Sequence, residues 1–216
     1  MKLDLSNILL KKINMKKTII LTFAFSLLTI IAFTGTKFHT DVFKLDTKQS
    51  SLEWFAEKVT GKHNGTIMFS SGELKNDHGN LTGSFEIDMS TIENKDMTGE
   101  YKAKLERHLK SDEFFSVEKF PKSKFVITSV TPLTAVKDLG YTHNVKGLLT
   151  IRDKTNEISF DSKINIEENK ISCNGSIIID RSKFDVKYGS KTFFADIGDK
   201  MVYDNFTMKF NFIAVK

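Results

Sequence analysis

The chain reads as an all-β protein with one or two short helices, built as an eight-stranded antiparallel up-and-down barrel. Three observations predict this. From about residue 42 onward apolar residues recur with a period of two, the signature of strands with one buried face. Turn-forming runs such as TGKHNG, NDHGN, RDKTN and EENK separate many of these stretches, at lengths that join sequential neighbours as hairpins. Helical patterns do not alternate with the strands, which excludes a parallel α/β sheet and leaves a closed barrel or a sandwich. Sequential hairpins produce the barrel directly, and closure removes exposed edges.

Eight strands are expected, at about 52–59, 63–75, 80–90, 122–131, 141–151, 156–168, 170–180 and 202–214. In SLEWFAEKV, Leu52, Trp54 and Ala56 alternate with Glu53 and Glu57. In NLTGSFEIDMS, Leu81, Phe85, Ile87 and Met89 share a face. EISFDSKINIE aligns Ile158, Phe160, Ile164 and Ile166, and KISCNGSIIID aligns Ile171, Cys173, Ile177 and Ile179. The last run, YDNFTMKFNFIAV, places Phe206, Met208, Phe210, Phe212 and Ala214 on one side. Two segments interrupt the pattern. Residues 98–110 read as a helix with Tyr101, Leu105 and His108 or Leu109 on one face. Residues 181–200 form a long glycine-bearing loop. Each interruption carries or leads into a Phe-Phe pair, Phe114-Phe115 and Phe193-Phe194, which would act as lids or plugs if they pack against the barrel ends.

The N-terminus belongs to a different physical class. Lysines lead into 19 uncharged residues, Thr18 to Thr36, the layout of a secretory signal. Met15, followed by Lys16 and Lys17, would begin such a signal by itself. The Ala32-Phe33-Thr34 cleavage site is poor, and the apolar run is long enough to span a bilayer if uncut. Residues 1–36 are therefore expected to be a signal peptide or a retained N-terminal membrane anchor, and residues 37–216 the barrel domain. An exported location follows as the expectation.

Composition narrows the function. Residues 1–36 hold five Lys and one Asp, +4 of the chain's formal net charge of +5. The remainder is nearly neutral, so the basic balance is no nucleic-acid footprint. Cys173, the one cysteine, leaves no intrachain disulfide to form, and stability must come from packing. His39, His63, His78, His108 and His143 show no short metal-ligand spacing. No nucleophile elbow, phosphate loop or Cys-His constellation is visible, so no enzyme, cofactor or metal site is expected.

The candidate site is the barrel interior. Leu52, Trp54, Phe69, Leu81, Phe85, Ile87, Phe125, Ile127, Phe160, Ile164, Ile177, Phe206, Phe210 and Phe212 are the expected inward residues, and none of them is titratable. An eight-stranded barrel can fill with its own side chains or hold one small apolar ligand, and periodicity does not choose. His108, Phe114, Phe115, Arg181, Phe193 and Phe194 are the candidates for a mouth or lid. His108 would contact a polar head group together with Lys110 or Arg181, or would simply cap its helix C-terminus, favourable by roughly 0.3–1 kcal/mol when protonated. Asp180 and Arg181 would form a strand-end ion pair.

The run HLKSDEFFSVEKFPKSKFVITSV resembles the signature of the YceI-like family, in which His-Leu is followed by Ser-x-x-Phe-Phe and a Phe/Tyr-Pro pair entering a strand. Here these are His108, Leu109, Ser111, Phe114, Phe115, Phe120 and Pro121. WFAEKVTGKHNGTI, VKGLLTI, IDRSKFDVKYGS and GDKMVYDNFTMKF continue the resemblance in the family's order, over about residues 42–216. The departure is RDKTNEI, where the family commonly has a Gly-x-Thr-Lys turn. The resemblance implies an extended lipocalin-like barrel with a cavity. It further implies an exported, periplasmic, non-catalytic protein that holds an isoprenoid-type lipid, a prenyl quinone or polyprenyl phosphate, for transport, storage or stress protection. Membrane contact for loading and a homodimer are compatible with it. The alternative is a packed barrel, an envelope structural or stress protein acting through protein contacts.

Overall fold

In a computed structural model of the chain, residues 40–134 and 140–216 are described. The leader at 1–36 lies outside the described residues. Among the described residues nine antiparallel strands and one α-helix run in the order β1 (Asp41–Leu45), β2 (Ser51–Lys58), β3 (Gly61–Asp77), β4 (Asn80–Asn94), α1 (Gly99–Lys110), β5 (Lys122–Pro132), β6 (His143–Ile151), β7 (Lys154–Ile166), β8 (Lys170–Asp180) and β9 (Asn205–Val215). Short 3-10 turns occupy Arg181–Phe184 and Gly198–Lys200. Strands β2 to β9 pair with their sequential neighbours, and β2 pairs with β9 to close an eight-staved barrel.

The ninth strand corrects the expected count without changing the barrel. β1 and β2 together form one interrupted stave. β1 takes the far half of β3, Asp41↔Asn76 to Lys44↔Glu73, and the tail of β9 at Leu45↔Ala214. β2 takes the near half, Leu52↔Ile67 to Lys58↔Gly61. The interruption is built by Asp46, whose carboxylate accepts from the backbone N–H of Lys48 (2.9 Å) and Gln49 (3.2 Å). Ser50 donates to the Asp46 carbonyl at 2.7 Å and accepts from Ile213 N–H at 3.0 Å. Five residues are too few for a period-two signal, which is why β1 escapes a sequence reading. At the other end of the chain, 202–204 is not the start of the last strand. It is a strap joined to β2 by Val59 N–H to Met201 carbonyl (3.1 Å) and Tyr203 N–H to Glu57 carbonyl (3.0 Å).

The barrel interior holds the core. At the end carrying the 78–79 and 167–169 turns, Phe43, Leu74, Leu81, Ile171 and Ala214 pack together with almost no exposure. Each large apolar side chain buried this way contributes roughly 1.5–3 kcal/mol. The opposite end carries both interruptions, α1 with 111–121 and the 181–204 segment. They stand side by side, Tyr188 against His108 and Arg181 over Phe114, rather than at the two ends.

Helix α1 docks through polar contacts. Lys102 donates to Glu93 of β4 at 2.8 Å, and Glu106 accepts from Asn94 N–H at 2.8 Å. The fully buried Asn94 accepts from Met97 N–H and donates to the Asn64 carbonyl. Tyr101, expected on the buried face, is 74% exposed. The packing face instead passes through Lys102, Glu106 and Leu109, about one residue around the helix.

Candidate functional site

The barrel interior holds an apolar cavity of about 200 Å³. A single water needs roughly 10–15 Å³ measured this way, so this space is an order of magnitude beyond a packing defect. All fourteen of the inward residues expected from alternation stand on its wall: Leu52, Trp54, Phe69, Leu81, Phe85, Ile87, Phe125, Ile127, Phe160, Ile164, Ile177, Phe206, Phe210 and Phe212. Sequence reasoning missed the β6 contribution, Val145, Leu149 and Ile151. The signal was present, because these residues alternate with Lys146, Leu148 and Thr150, but Leu148 is a 40% exposed apolar residue that blurs the period.

Aromatic rings line the waist. Phe85 lies 5.0 Å from Phe212 and 6.1 Å from Phe69, Phe160 lies 5.7 Å from Phe125 and 5.5 Å from Phe210, and Phe210 stacks near Phe212 at 6.3 Å. These separations are typical of tilted and edge-on aromatic pairs. Cys173 of β8 is buried on the same wall, and burial pushes its thiol up to about 12.

The roof is made by the segment after α1. Ser111 caps the helix by donating to the His108 carbonyl at 2.8 Å. Phe115 N–H then bonds to Leu109 carbonyl, Ser116 N–H to Ser111 carbonyl and Val117 N–H to Lys110 carbonyl. Ser116 adopts φ +50 and is fully buried, with its hydroxyl donating to Asp112. These nested turns aim Leu109, Phe114 and Phe115 into the cavity.

Arg181 sits at the seam between roof and strap. It is 2% exposed, and among the described residues it is the one charged side chain on the cavity wall. Its Nη1 donates to the carbonyls of Tyr188 (2.7 Å) and Val186 (3.1 Å), Nη2 to that of Val202 (3.0 Å) and Nε to that of Tyr203 (3.3 Å). Asp204 Oδ1 stands 3.2 Å from Nη2, and the guanidinium lies 5.4 Å over the Phe114 ring. Burial pulls its pKa below the ordinary value, opposed by the charges of Asp204 and Asp180. The expected Asp180–Arg181 ion pair is corrected accordingly. Asp180 turns to the backbone N–H and hydroxyl of Ser182, and Asp204 takes the pairing role. Asp204 is held in turn by the hydroxyls of Ser190 (2.8 Å) and Thr192 (2.7 Å).

The other mouth candidates divide. His108 packs edge-on against Tyr188 (4.3 Å) and Phe114 (5.8 Å), with Nδ1 3.5 Å from Glu113. It supports the roof from behind and does not stand on the cavity wall, and neither does Lys110. Phe193 and Phe194 are corrected as plugs. They are 38% and 52% exposed, off the cavity wall, with Lys187 5.2 Å over the Phe193 ring. The residues that actually edge the opening are Val202 and the half-exposed Tyr203. Among the described residues no cluster of His, Cys, Asp or Glu could hold a metal ion.

A closed antiparallel barrel around an apolar lumen defines a lipocalin-like protein. The model of the YceI-like domain matches residues 43–214, and the chain belongs to that family. It is 31% identical over 128 residues to a UPF0312 protein of Staphylococcus aureus strain MRSA252; the match covers 57% of this chain and 65% of that protein, a little under two thirds of its length. Among solved structures, the fold is similar to that of BcnA of Burkholderia cenocepacia, with a TM-score of 0.62 at 20% identity over 79% of this chain and 99% of the other. It is also similar to a polyisoprenoid binding domain from Saccharophagus degradans implicated in plant cell wall breakdown. There the TM-score is 0.55 at 13% identity, over 80% of this chain and 97% of the other.

Proposed function

We propose that this protein is an exported lipid carrier that holds one isoprenoid-chain amphiphile, of the prenyl quinone or polyprenyl phosphate type, inside the barrel for transport, storage or stress protection. The observation that carries the reading is the lumen of about 200 Å³, walled almost wholly by aliphatic and aromatic side chains. Arg181 adds no binding charge there, because its donors are already committed to backbone carbonyls. Affinity then comes from chain burial, roughly 0.8 kcal/mol per methylene before ordering costs. At about 0.3 kcal/mol per heavy atom after those costs, a chain of some twenty carbons gains about 6 kcal/mol, which is tens of micromolar. The family membership and the polyisoprenoid binding domain among the similar structures support the same ligand class. The leader supports export. Loading from a membrane fits the exposed Phe193 and Phe194 and the half-exposed Tyr203, which also lines the cavity.

Trp54, the one tryptophan, stands on the cavity wall and provides the test. A prenyl quinone titrated into delipidated protein is expected to quench its fluorescence saturably, and the isolated quinone head without a chain is not. Equal quenching by head and by prenyl quinone contradicts the proposal.

A further inference from the structure

On the lumen wall glycines face aromatic residues across the strands. Trp54 of β2 pairs in register with Gly65 of β3, Phe85 of β4 with Gly72 of β3, and Phe210 of β9 with Gly175 of β8. Phe125 of β5 reaches the diagonal neighbour Gly147 of β6, whose own partner is Ile127. At Gly72 and Gly175 the ring occupies the place of the missing side chain; at Gly65 and Gly147 the backbone carbonyls of Glu93 and Val126 crowd that place together with the ring. A Cβ on Gly175 would stand 2.7 Å from Phe210 Cζ, one on Gly72 2.5 Å from Phe85 Cδ1, one on Gly147 2.4 Å from Phe125 Cζ, and one on Gly65 2.6 Å from Trp54 Cζ2. Real Cβ atoms directly opposite in a sheet sit about 4.5–5.5 Å apart and carry side chains that point the same way. A ring can lie sideways on the wall only where its partner has none.

That sideways placement decides between a filled and a hollow barrel. Eight strands leave an interior just wide enough for side chains to fill, so four large rings pointing at the axis would close it. Nor could the rings slide along the wall if displaced. Phe210 is hemmed by Phe160 and Phe212, and Phe85 by Phe69 and Phe212. A methyl group at the glycine drives the ring into the lumen.

We propose that Gly65, Gly72, Gly147 and Gly175 are the specificity determinants of the cavity: by seating four aromatic rings against the wall they set its bore, and with it the length of apolar chain that the barrel accepts. The ligand class rests on the function proposed above; the control of the bore does not. Gly175 and Gly72 are the informative positions, because there an added Cβ meets nothing closer than 3.0 Å except its own ring.

The test uses Gly175→Ala, Gly72→Ala and the double variant Gly175→Ala/Phe210→Leu. Each is delipidated and titrated with farnesol, geranylgeraniol and the uncharged rod diphenylhexatriene. The parent is expected to bind all three, and the single variants to lose affinity at least tenfold for geranylgeraniol and less for farnesol. Phe210→Leu, which removes the displaced ring, is expected to restore binding. If a single variant does not fold, folding and binding by the double variant give the same result. Unchanged chain-length preference in folded Gly175→Ala and Gly72→Ala overturns the inference, as does a double variant no better than the single. If the parent binds diphenylhexatriene but neither prenol, the isoprenoid reading fails while the bore is still read with the rod. Binding of no probe by the parent overturns both.

Discussion

Replacing Arg181 with methionine keeps most of the side-chain volume and deletes the guanidinium. The carbonyls of Val186, Tyr188, Val202 and Tyr203 lose their donor, and Asp204 loses the cation 3.2 Å away. Breaking a buried ion pair by removing one partner costs about 3–5 kcal/mol, because the other charge is left uncompensated. Each abandoned buried acceptor would add about 1–3 kcal/mol, but the segment 185–204 can lift off and let water reach its carbonyls. The expected loss is therefore about 3–5 kcal/mol, which for a domain of this size lowers Tm by roughly 6–20 °C. Urea denaturation and thermal melting measure it, and trypsin is expected to cut faster at Lys187, Lys191 and Lys200 of that segment. Arg181→Met/Asp204→Asn should cost less than the sum of the single changes by at least about 1 kcal/mol, as coupled groups do. A loss under about 1 kcal/mol in Arg181→Met, or strict additivity in the double variant, would refute the reasoning.

Other outcomes follow from the same geometry. Ile177→Phe adds volume toward the lumen; a filled core would lose about 1–3 kcal/mol, whereas the hollow barrel should lose less than about 1 kcal/mol by urea denaturation while its lipid capacity falls. Cys173 should resist maleimide at pH 8 until denaturant is added, read by mass shift. Its thiol, held near 12 in the fold against an ordinary value of 9.0, keeps its proton where the unfolded chain loses it, so its contribution to stability is intact below pH 9 and is lost as pH rises from 9 toward 12. Glu93 shows the opposite sign. Hydrogen bonds from Lys102 and then Lys95 hold its carboxylate at about 2 rather than 4.5, so the tie between α1 and β4 is complete above pH 4.5 and fades as pH falls toward 2. Hydrogen exchange of α1 across that range, compared with Glu93→Gln, reads the effect.

The strands and the inward face were legible because alternation is a local property. Leu81, Phe85 and Ile87, or Phe206, Phe210 and Phe212, declare their common side without any knowledge of their neighbours. What stayed hidden depends on register or on distant partners. β1 is five residues long and makes sense only as the missing half of the β2 stave. Gly175 and Gly72 look like ordinary turn-formers or strand weaknesses until pairing places Phe210 and Phe85 opposite them. Arg181 suggested a neighbouring-residue ion pair, yet its partners are carbonyls from 186 to 203 and the carboxylate of Asp204. The two Phe-Phe pairs were equally visible and have different fates. Nested turns around Ser116 drive Phe114 and Phe115 inward, while Phe193 and Phe194 follow Ser190 and Thr192, whose hydroxyls are tied to Asp204, and face outward.

The measurement that bears most directly on the account is organic extraction of natively purified protein followed by mass spectrometry of the extract. A lumen that holds an isoprenoid amphiphile predicts a prenyl lipid near one per barrel. An empty extract, with no uptake of added prenyl quinone or polyprenyl phosphate by the same preparation, contradicts the account and returns the barrel to a packed structural role.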